Sequence, residues 1–183
     1  MGGVGLLSLY YIFGRERALA FYSVLFLTVL GLDTVRLAVP AVNNFVMSRF
    51  RSFIRSNEEH KLTGTAPYIL GIGLSLYVYS TETATAAICF LAFGDVAATT
   101  IGERYGRTKI QAKSLEGTAA FIVAAFGAGL LLSFLGIQLA AWIVVLGALV
   151  AAGVELLPAQ VNDNLMIPLI SGGIMELALR SAR

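Results

Sequence analysis

Asp95 is a lone carboxylate inside the otherwise apolar sequence FLAFGDVAA. An ionised carboxylate at the centre of a membrane costs about 2.5–3.5 kcal/mol on insertion scales, so such a side chain faces a cavity, pairs with a cation or binds a metal. Thr99, Gly102 and Gly106 follow at helical spacing and form a small, polar stripe that lets another group approach closely. We therefore expect Asp95 to contact a metal or a substrate; the structural alternative is a buried ion pair with Arg36.

The loop over residues 102–118 concentrates cations, glycines and hydroxyls. Lys and Arg side chains neutralise phosphate charge, and backbone N–H groups at the start of a helix bind phosphate oxygens. Glu116 adds a carboxylate of the kind that Mg²⁺ binds together with phosphate oxygens. The loop therefore predicts a polyphosphate site. Its candidate residues are Gly102, Gly106, Arg107, Lys109, Lys113, Ser114, Glu116, Gly117 and Thr118.

Two other interpretations of this loop stay open. Its composition equally fits an ordinary basic loop next to a membrane span. The Gly102-x-x-x-Gly106 spacing also fits helix packing, but the three polar residues between the glycines argue against packing at lipid depth. A P-loop is excluded because the sequence has no Gly-x-x-x-x-Gly-Lys-Ser/Thr.

Further charged residues lie at the ends of apolar stretches. Asp33 and Arg36 are one helical turn apart and share a face. Glu59 and Lys61 precede the next stretch and fit either a site or ordinary solvated loop charges. Asp163 opens the last stretch, where a helix cap explains its type as well as a metal ligand does.

The scarcity of charge sets the class of the protein. Only 13% of the 183 residues are charged and 57% are hydrophobic, whereas a soluble domain carries about 25% charged residues. Residues 117–154 hold no charge at all, which leaves room for two membrane spans of about 20 residues each. This composition excludes a soluble enzyme, a nucleic-acid binder and a disordered scaffold. Single Cys and His residues also exclude an internal disulfide and a Cys/His zinc cluster.

We predict an all-α, polytopic integral membrane helix bundle in which residues 1–183 form a single domain. About six transmembrane helices are expected, together with an interfacial amphipathic helix over 41–56 and a short apolar helix over 2–13. The last span contains Pro168 and should be kinked or partly re-entrant. The predicted spans are 17–35, 64–81, 83–103, 117–135, 137–155 and 164–179.

The distribution of basic residues predicts the orientation. Eight of the thirteen Lys and Arg residues fall within 49–61 and 104–113, and two spans separate these segments. Both segments therefore emerge on the same side, which the positive-inside rule identifies as the cytoplasm. Two further spans return residues 156–163 to that side. We therefore expect four polar segments to meet at one membrane face and form a single site: Asp33/Arg36, Glu58–Lys61, 104–116 and Asp163/Asn164. Arg49, Arg51 and Arg55 are expected to anchor to anionic lipid headgroups.

Several motifs together resemble the signature of the CTP-dependent lipid kinases, which include dolichol kinase, yeast-type diacylglycerol kinase and the phytol and farnesol kinases of plants. The central motif is GDVAA at 94–98 followed by Gly102, YGRTKI at 105–110 and KSLEGT at 113–118. Outside it, DTVR at 33–36, Glu59, KLTG at 61–64, Tyr68, DN at 163–164 and Ile167-Pro168 match in order. The central motif is also distantly similar to that of phosphatidate cytidylyltransferase. This chain lacks the Ser-Pro-x-Lys typical of that family, which favours the kinases.

The resemblance implies Mg²⁺-dependent transfer of the γ-phosphate of CTP to a membrane lipid alcohol (dolichol, polyprenol, diacylglycerol or a prenol) at the cytoplasmic face. It places Asp95 and Asp163 on the metal with Glu116 nearby, and one carboxylate acts as base. The triphosphate would be held by Arg107, Lys109, Lys113 and Ser114. The remaining nucleotide-binding positions would be Gly102, Gly106, Gly117, Thr118 and Asn164. The site would be completed by Asp33, Arg36, Glu59 and Lys61. Uncharged grooves between helices would admit the lipid tail from the bilayer.

Three other functions stay open at this stage. A cytidylyltransferase would make a CDP-lipid and release pyrophosphate. A small ion-coupled transporter would use Asp95 as a cation site, although no internal repeat is detectable. A structural subunit would not need Asp95 at membrane depth. Surfaces rich in Gly and Ala also allow a homodimer, and no nucleic-acid partner is expected.

Overall fold

The computed structural model describes residues 2–50, 58–157 and 162–182, which are almost entirely helical. This confirms the predicted all-α helix bundle. The helices are α1 (Gly2–Phe13), α2 (Arg15–Ala38), α3 (Pro40–Phe50), α4 (Thr65–Val78), α5 (Thr81–Cys89), α6 (Asp95–Tyr105), α7 (Leu115–Phe134), α8 (Ala141–Leu156) and α9 (Asp163–Ser181). A π-helical turn, Phe90–Gly94, joins α5 to α6, and two short strands, β1 (Lys109–Ile110) and β2 (Lys113–Ser114), precede α7.

Three helices in the described ranges are long and apolar enough to cross a membrane: Arg15–Ala38, Thr81–Tyr105 and Leu115–Phe134. The other predicted spans form shorter or more polar helices. With a rise of about 1.5 Å per residue, α4 and α8 reach only about 21 and 24 Å, less than the roughly 30 Å hydrocarbon core. The last predicted span is one continuous helix, α9, which runs through Pro168 without a break.

The predicted amphipathic helix is described only in its first part. Helix α3 ends at Phe50, and residues 51–56 of the prediction, including Arg51 and Arg55, lie outside the described residues. Phe45 and Phe50 are exposed, whereas Asn43 is buried. Helix α3 is therefore attached to the bundle through a polar side chain, and its aromatic residues face outward.

The helix that carries Asp95 is the central one. In the segment Thr81–Tyr105, 61% of the most apolar window is buried, against 17% for Arg15–Ala38. Its π-helical turn packs Phe90 into an apolar cluster with Phe121, Ile143 and Met175, all of which are fully or almost fully buried. The buried π-helical turn fixes the position of Asp95, which follows it directly.

The π-helical turn interrupts the α-helix that was predicted over 83–103, and the sequence pattern did not indicate it. Such turns widen the helix by one residue and occur often at functional sites. Here Gly94 lies against the ring of Phe121, and a Cβ at this position would be 2.6 Å from that ring. Glycine therefore allows α7 to pack closely at the residue before Asp95.

Candidate functional site

Arg36 is the centre of a buried hydrogen-bond network at one end of the bundle. Its side chain is 3% exposed and forms an ion pair with Asp33 at 3.2 Å. The guanidinium group also donates to the Asn43 Oδ1 at 2.9 Å and to the Lys61 carbonyl at 2.7 Å. Further bonds reach the carbonyls of Glu58 and Glu59 at 3.2–3.3 Å. Arg36 therefore pairs with Asp33, and it holds the backbone that precedes α4.

The other partners of Asp33 lie in the same segment. Its Oδ2 accepts hydrogen bonds from the Thr63 backbone N–H and hydroxyl, both at 2.7 Å. The Glu58 Oε1 accepts from the Gly64 N–H at 3.0 Å. Since both oxygens of Asp33 are engaged, Asp33 and Arg36 position the segment 58–64. The side chains of Glu59 and Lys61 remain exposed beside it.

The start of α9 packs against the start of α4. The Asn164 side-chain amide donates to the Gly64 carbonyl at 3.1 Å. Two turns later, a Cβ on Gly71 would lie 2.7 Å from the Asn164 carbonyl oxygen, so the two helices cross with almost no space between their backbones. Asn164 is therefore a contact between helices, and its implied role in nucleotide binding stays a prediction.

Lys113 links β2 to the end of α8 and the start of α9. Its Nζ lies 2.7 Å from the Glu155 Oε1 and 3.0 Å from the Asp163 Oδ2. Burial lowers the pKa of the Lys113 ammonium, but the two carboxylates outweigh this effect and hold the pKa above its usual value. Lys113 is therefore charged at neutral pH.

Asp163 is available for this contact because it is not the helix cap. The N-cap of α9 is Asn162, whose side chain accepts from the Asn164 N–H at 3.0 Å. The capping interpretation of Asp163 is therefore wrong. Its carboxylate is directed to Lys113 instead.

Helices α6 and α7 meet through glycines. A Cβ on Gly117 would lie 2.8 Å from the Ala98 carbonyl oxygen and 3.2 Å from the Gly102 Cα. A Cβ on Gly106 would lie 2.6 Å from the Ser114 Oγ. Gly102 and Gly117 therefore allow α6 and α7 to pack closely, and Gly106 makes room for Ser114. The nucleotide-binding role of these glycines stays a prediction.

The first turn of α7 is satisfied within the protein. Ser114 is the N-cap, and its Oγ accepts from the Gly117 N–H at 3.2 Å. The Leu115 N–H donates to the Thr108 carbonyl at 3.0 Å, and the Thr118 hydroxyl donates to the Ser114 carbonyl at 3.1 Å. Ser114 and Thr118 are also buried. These bonds fix the first turn of α7, and the phosphate contacts of Ser114, Gly117 and Thr118 stay a prediction.

Gly117→Ala is expected to lower the stability of the bundle by about 1–3 kcal/mol, the usual cost of overpacking. The added methyl group would meet backbone atoms of α6, which cannot rotate away. Gly127→Ala is the matched control, since a Cβ there meets nothing within 4 Å on the same helix. Thermal unfolding of both variants in detergent tests this, and equal midpoints would show that α6 and α7 are not in close contact.

Arg107 and Lys109 lie on a short hairpin that the sequence analysis missed. Strands β1 and β2 pair antiparallel, with Lys109 opposite Ser114. Gln111 in the connecting turn has a positive φ of 54°. Both Arg107 and Lys109 are exposed, so their charges are accessible to an anionic ligand. The Glu116 carboxylate accepts from the Thr108 N–H at 3.1 and 3.2 Å and stabilises the base of this hairpin.

Asp95 is half-buried between the π-helical turn and α6. It is the first residue of α6 and follows the π-helical turn directly.

The four predicted polar segments are joined at this end of the bundle. Asp33 bonds to Thr63, Gly64 bonds to Asn164, and the neighbouring Asp163 pairs with Lys113. The expected convergence of these segments is therefore confirmed. Within the described ranges, however, no three His, Cys, Asp or Glu side chains lie close enough to hold one metal ion. The set of Asp95, Glu116 and Asp163 is thus not assembled as a group, and its metal role stays a prediction.

Three residues of this network were missed as site residues by the sequence analysis. Asn43 and Thr63 bind the side chains of Arg36 and Asp33, and Glu155 binds Lys113. Asn43 carries no distinguishing sequence signal, whereas Thr63 lies within the KLTG segment of the resemblance. Glu155 does carry one, because it ends the long uncharged run and is a carboxylate at the end of an apolar helix.

An apolar groove of about 490 Å³ lies between α2 and α4. All the residues that line it are uncharged, and it runs beside α2, which is mostly exposed. Its lining comprises Leu19, Ala20, Tyr22, Ser23, Phe26, Leu27, Ile69, Leu70, Gly73, Leu74 and Tyr77. The groove has the apolar character that an acyl or prenyl chain requires.

Sequence comparison finds relatives that are named CTP-dependent diacylglycerol kinase 1. The chain is 34% identical over 102 residues to a CTP-dependent diacylglycerol kinase 1 of Eremothecium gossypii, covering 54% of this chain and 32% of the relative. It is 33% identical over 102 residues to the protein of the same name from Saccharomyces cerevisiae, covering 54% and 35%. The Schizosaccharomyces pombe protein of that name is 25% identical over 162 residues, covering 80% of this chain and 74% of the relative.

The first two alignments span only about a third of the length of these relatives. No protein-family model matches the chain, and no solved structure is similar to it. The three kinase relatives nevertheless confirm the resemblance of the motifs. By sequence, this protein is similar to CTP-dependent diacylglycerol kinases.

Proposed function

We propose that this integral membrane protein is a kinase that transfers the γ-phosphate of CTP to the hydroxyl of a lipid, with diacylglycerol as the expected acceptor. The observation that carries the proposal is the junction of the four motif segments at one end of the bundle. The relatives named CTP-dependent diacylglycerol kinase support both the donor and the acceptor. Dolichol, polyprenol and other prenols are the alternative acceptors.

The exposed cations fit the charge of a nucleoside triphosphate. Arg107 and Lys109 on the hairpin would bind the phosphates directly, because their side chains reach solvent. Ser114, Gly117 and Thr118 would act indirectly, by fixing the hairpin at the start of α7. Lys61 and the basic loop 104–113 lie at this end. By the positive-inside rule, we therefore propose that it faces the cytoplasm.

Phosphoryl transfer needs positioning and charge stabilisation more than covalent help from the protein. The half-buried Asp95 would orient the lipid hydroxyl or carry a metal ion. Arg36 and Asp33 would act as positioning residues, because their polar atoms are bound to the segment 58–64. Magnesium, when bound, would neutralise charge on the phosphates; the carboxylates of Asp95 and Asp163 are suitable ligands by type.

The apolar groove would hold a hydrocarbon chain of the lipid. A larger side chain at Gly73 would enter it, because the nearest atom to a Cβ there is the Tyr22 Cβ at 3.7 Å. We expect Gly73→Leu to raise the KM for diacylglycerol roughly tenfold, equivalent to about 1.4 kcal/mol of binding, and to leave the KM for CTP unchanged.

Gly127→Leu is the matched control for this prediction, since it adds the same side chain to an apolar helix with open space around it. Initial rates in mixed micelles, with each substrate varied in turn, give both KM values. An unchanged KM for diacylglycerol in Gly73→Leu would exclude the groove as the lipid site.

A lipid panel tests the proposed reaction. The purified protein would be incubated with CTP or ATP, Mg²⁺ and diacylglycerol, dolichol, a shorter polyprenol or farnesol. We expect CDP and phosphatidate to form from CTP and diacylglycerol. Absence of any phosphorylated lipid across the panel would refute the kinase proposal.

A further inference from the structure

Glu155 is a buried carboxylate whose hydrogen bonding is incomplete. It lies in the last turn of α8 and is 3% exposed. Its Oε1 binds the Lys113 Nζ at 2.7 Å, but its Oε2 is buried and has no hydrogen-bond partner among the described residues. A buried polar atom without a partner costs about 1–3 kcal/mol, and more when it is charged. Such an atom in a native protein calls for an explanation, and an ion that completes its bonding is one.

Asp163 approaches the same nitrogen from another helix. Its Oδ2 lies 3.0 Å from the Lys113 Nζ, and its side chain is 29% exposed. The ammonium group is therefore held between two carboxylates, one buried and one open to solvent. One positive charge faces two negative charges, so the cluster of Lys113, Glu155 and Asp163 carries a formal net charge of −1.

A divalent cation would neutralise the charge of the two carboxylates more completely than the single positive charge of the ammonium does. Mg²⁺ binds one or two carboxylates and completes its shell with water and phosphate oxygens. Glu155 and Asp163 supply two carboxylates, and the open side of Asp163 leaves room for water or phosphate. Glu116 does not fit this role, because both its oxygens accept from the Thr108 N–H at the hairpin.

We propose that Glu155 and Asp163 are the carboxylate ligands of a divalent cation and that the Lys113 ammonium occupies the cation's place when no metal is bound. Arrival of the metal would release Lys113, whose freed ammonium could then pair with a phosphate. The catalytic meaning of the site rests on the proposed kinase function. The site itself can be measured without turnover.

Binding of Mn²⁺ to the full-length protein in detergent, without nucleotide, tests the site. Free Mn²⁺ is followed by its electron paramagnetic resonance signal during titration. We expect one site in the wild-type protein and at least tenfold weaker binding in both Glu155→Gln and Asp163→Asn. If Glu155→Gln does not fold, Asp163→Asn still tests the site, because the Asp163 side chain is more exposed than that of Glu155. Glu103→Gln, at an exposed carboxylate on α6, is the control and should bind as the wild type does.

Wild-type affinity in the folded Glu155→Gln variant, or no Mn²⁺ binding by the wild type, would overturn the proposal. Glu116→Gln separates the two assignments, because loss of Mn²⁺ there and not in Glu155→Gln would favour Glu116 as the ligand. Lys113→Gln should bind Mn²⁺ more tightly, since the competing ammonium is gone; weaker binding would contradict the exchange.

The outcomes for the site and for the reaction are distinguishable. Mn²⁺ binding that depends on Glu155, in a protein that transfers no phosphate, would uphold the site and refute the kinase. Full Mg²⁺-dependent transfer in Glu155→Gln would uphold the kinase and refute the site.

Discussion

Asp95→Asn is expected to reduce phosphoryl transfer by about 10²–10⁴-fold, the range typical of losing a positioned acid–base group. The substitution keeps the size of the side chain and removes its charge. Because Asp95 follows a buried π-helical turn, the amide would be held in the same place as the carboxylate. The loss would therefore fall on kcat rather than on folding.

The measurement is kcat with CTP and diacylglycerol, together with thermal unfolding of the same preparation. Glu103→Gln is the matched control, since it removes an exposed carboxylate two turns further along α6. A wild-type kcat in Asp95→Asn would remove Asp95 from the reaction.

Arg36→Ala is expected to lower the free energy of unfolding by about 3–5 kcal/mol, the cost of breaking a buried ion pair by removing one partner. Asp33 is 6% exposed and would be left without its cation. The carbonyls of Glu58, Glu59 and Lys61 would lose their donor as well. Arg36→Lys should recover little of this, because a lysine cannot reproduce the planar, five-donor guanidinium group.

Denaturant unfolding in detergent micelles measures this loss. Arg49→Ala is the control, since Arg49 is exposed at the end of α3. Where Arg36→Lys folds, its KM for both substrates should rise while Mn²⁺ binding at Glu155 and Asp163 is kept, because Arg36 positions only the segment 58–64. A loss of under about 1 kcal/mol in Arg36→Ala would contradict the account of this network.

The helices and their meeting point could be predicted from the sequence because both follow from the positions of charges. Uncharged runs indicate where helices lie, and the alternation of polar segments indicates which ends meet. Asp33 and Arg36 were placed together by their spacing of one helical turn, and the structure pairs them at 3.2 Å.

The partners of these residues could not be predicted in the same way. Arg36 binds three backbone carbonyls, which every residue has, so no residue type signals the contact. Gly102, Gly106 and Gly117 fit both a phosphate loop and a helix crossing. The crossing became visible only in the structure, where a Cβ on Gly117 would lie 2.8 Å from the Ala98 carbonyl oxygen. Glu155 differs from an ordinary terminal carboxylate only through its burial and its contact with Lys113 across 42 residues of chain.

The central claim is that the γ-phosphate of CTP is transferred to the lipid. It is tested most directly by finding which phosphorus atom of CTP appears in the lipid product. Purified protein, diacylglycerol and Mg²⁺ would be incubated with CTP carrying a radioactive phosphorus at either the γ- or the α-position. The account predicts label in the lipid from γ-labelled CTP alone, with labelled CDP released from the α-labelled nucleotide. Label in the lipid from α-labelled CTP, with release of pyrophosphate, would identify a cytidylyltransferase and contradict the account.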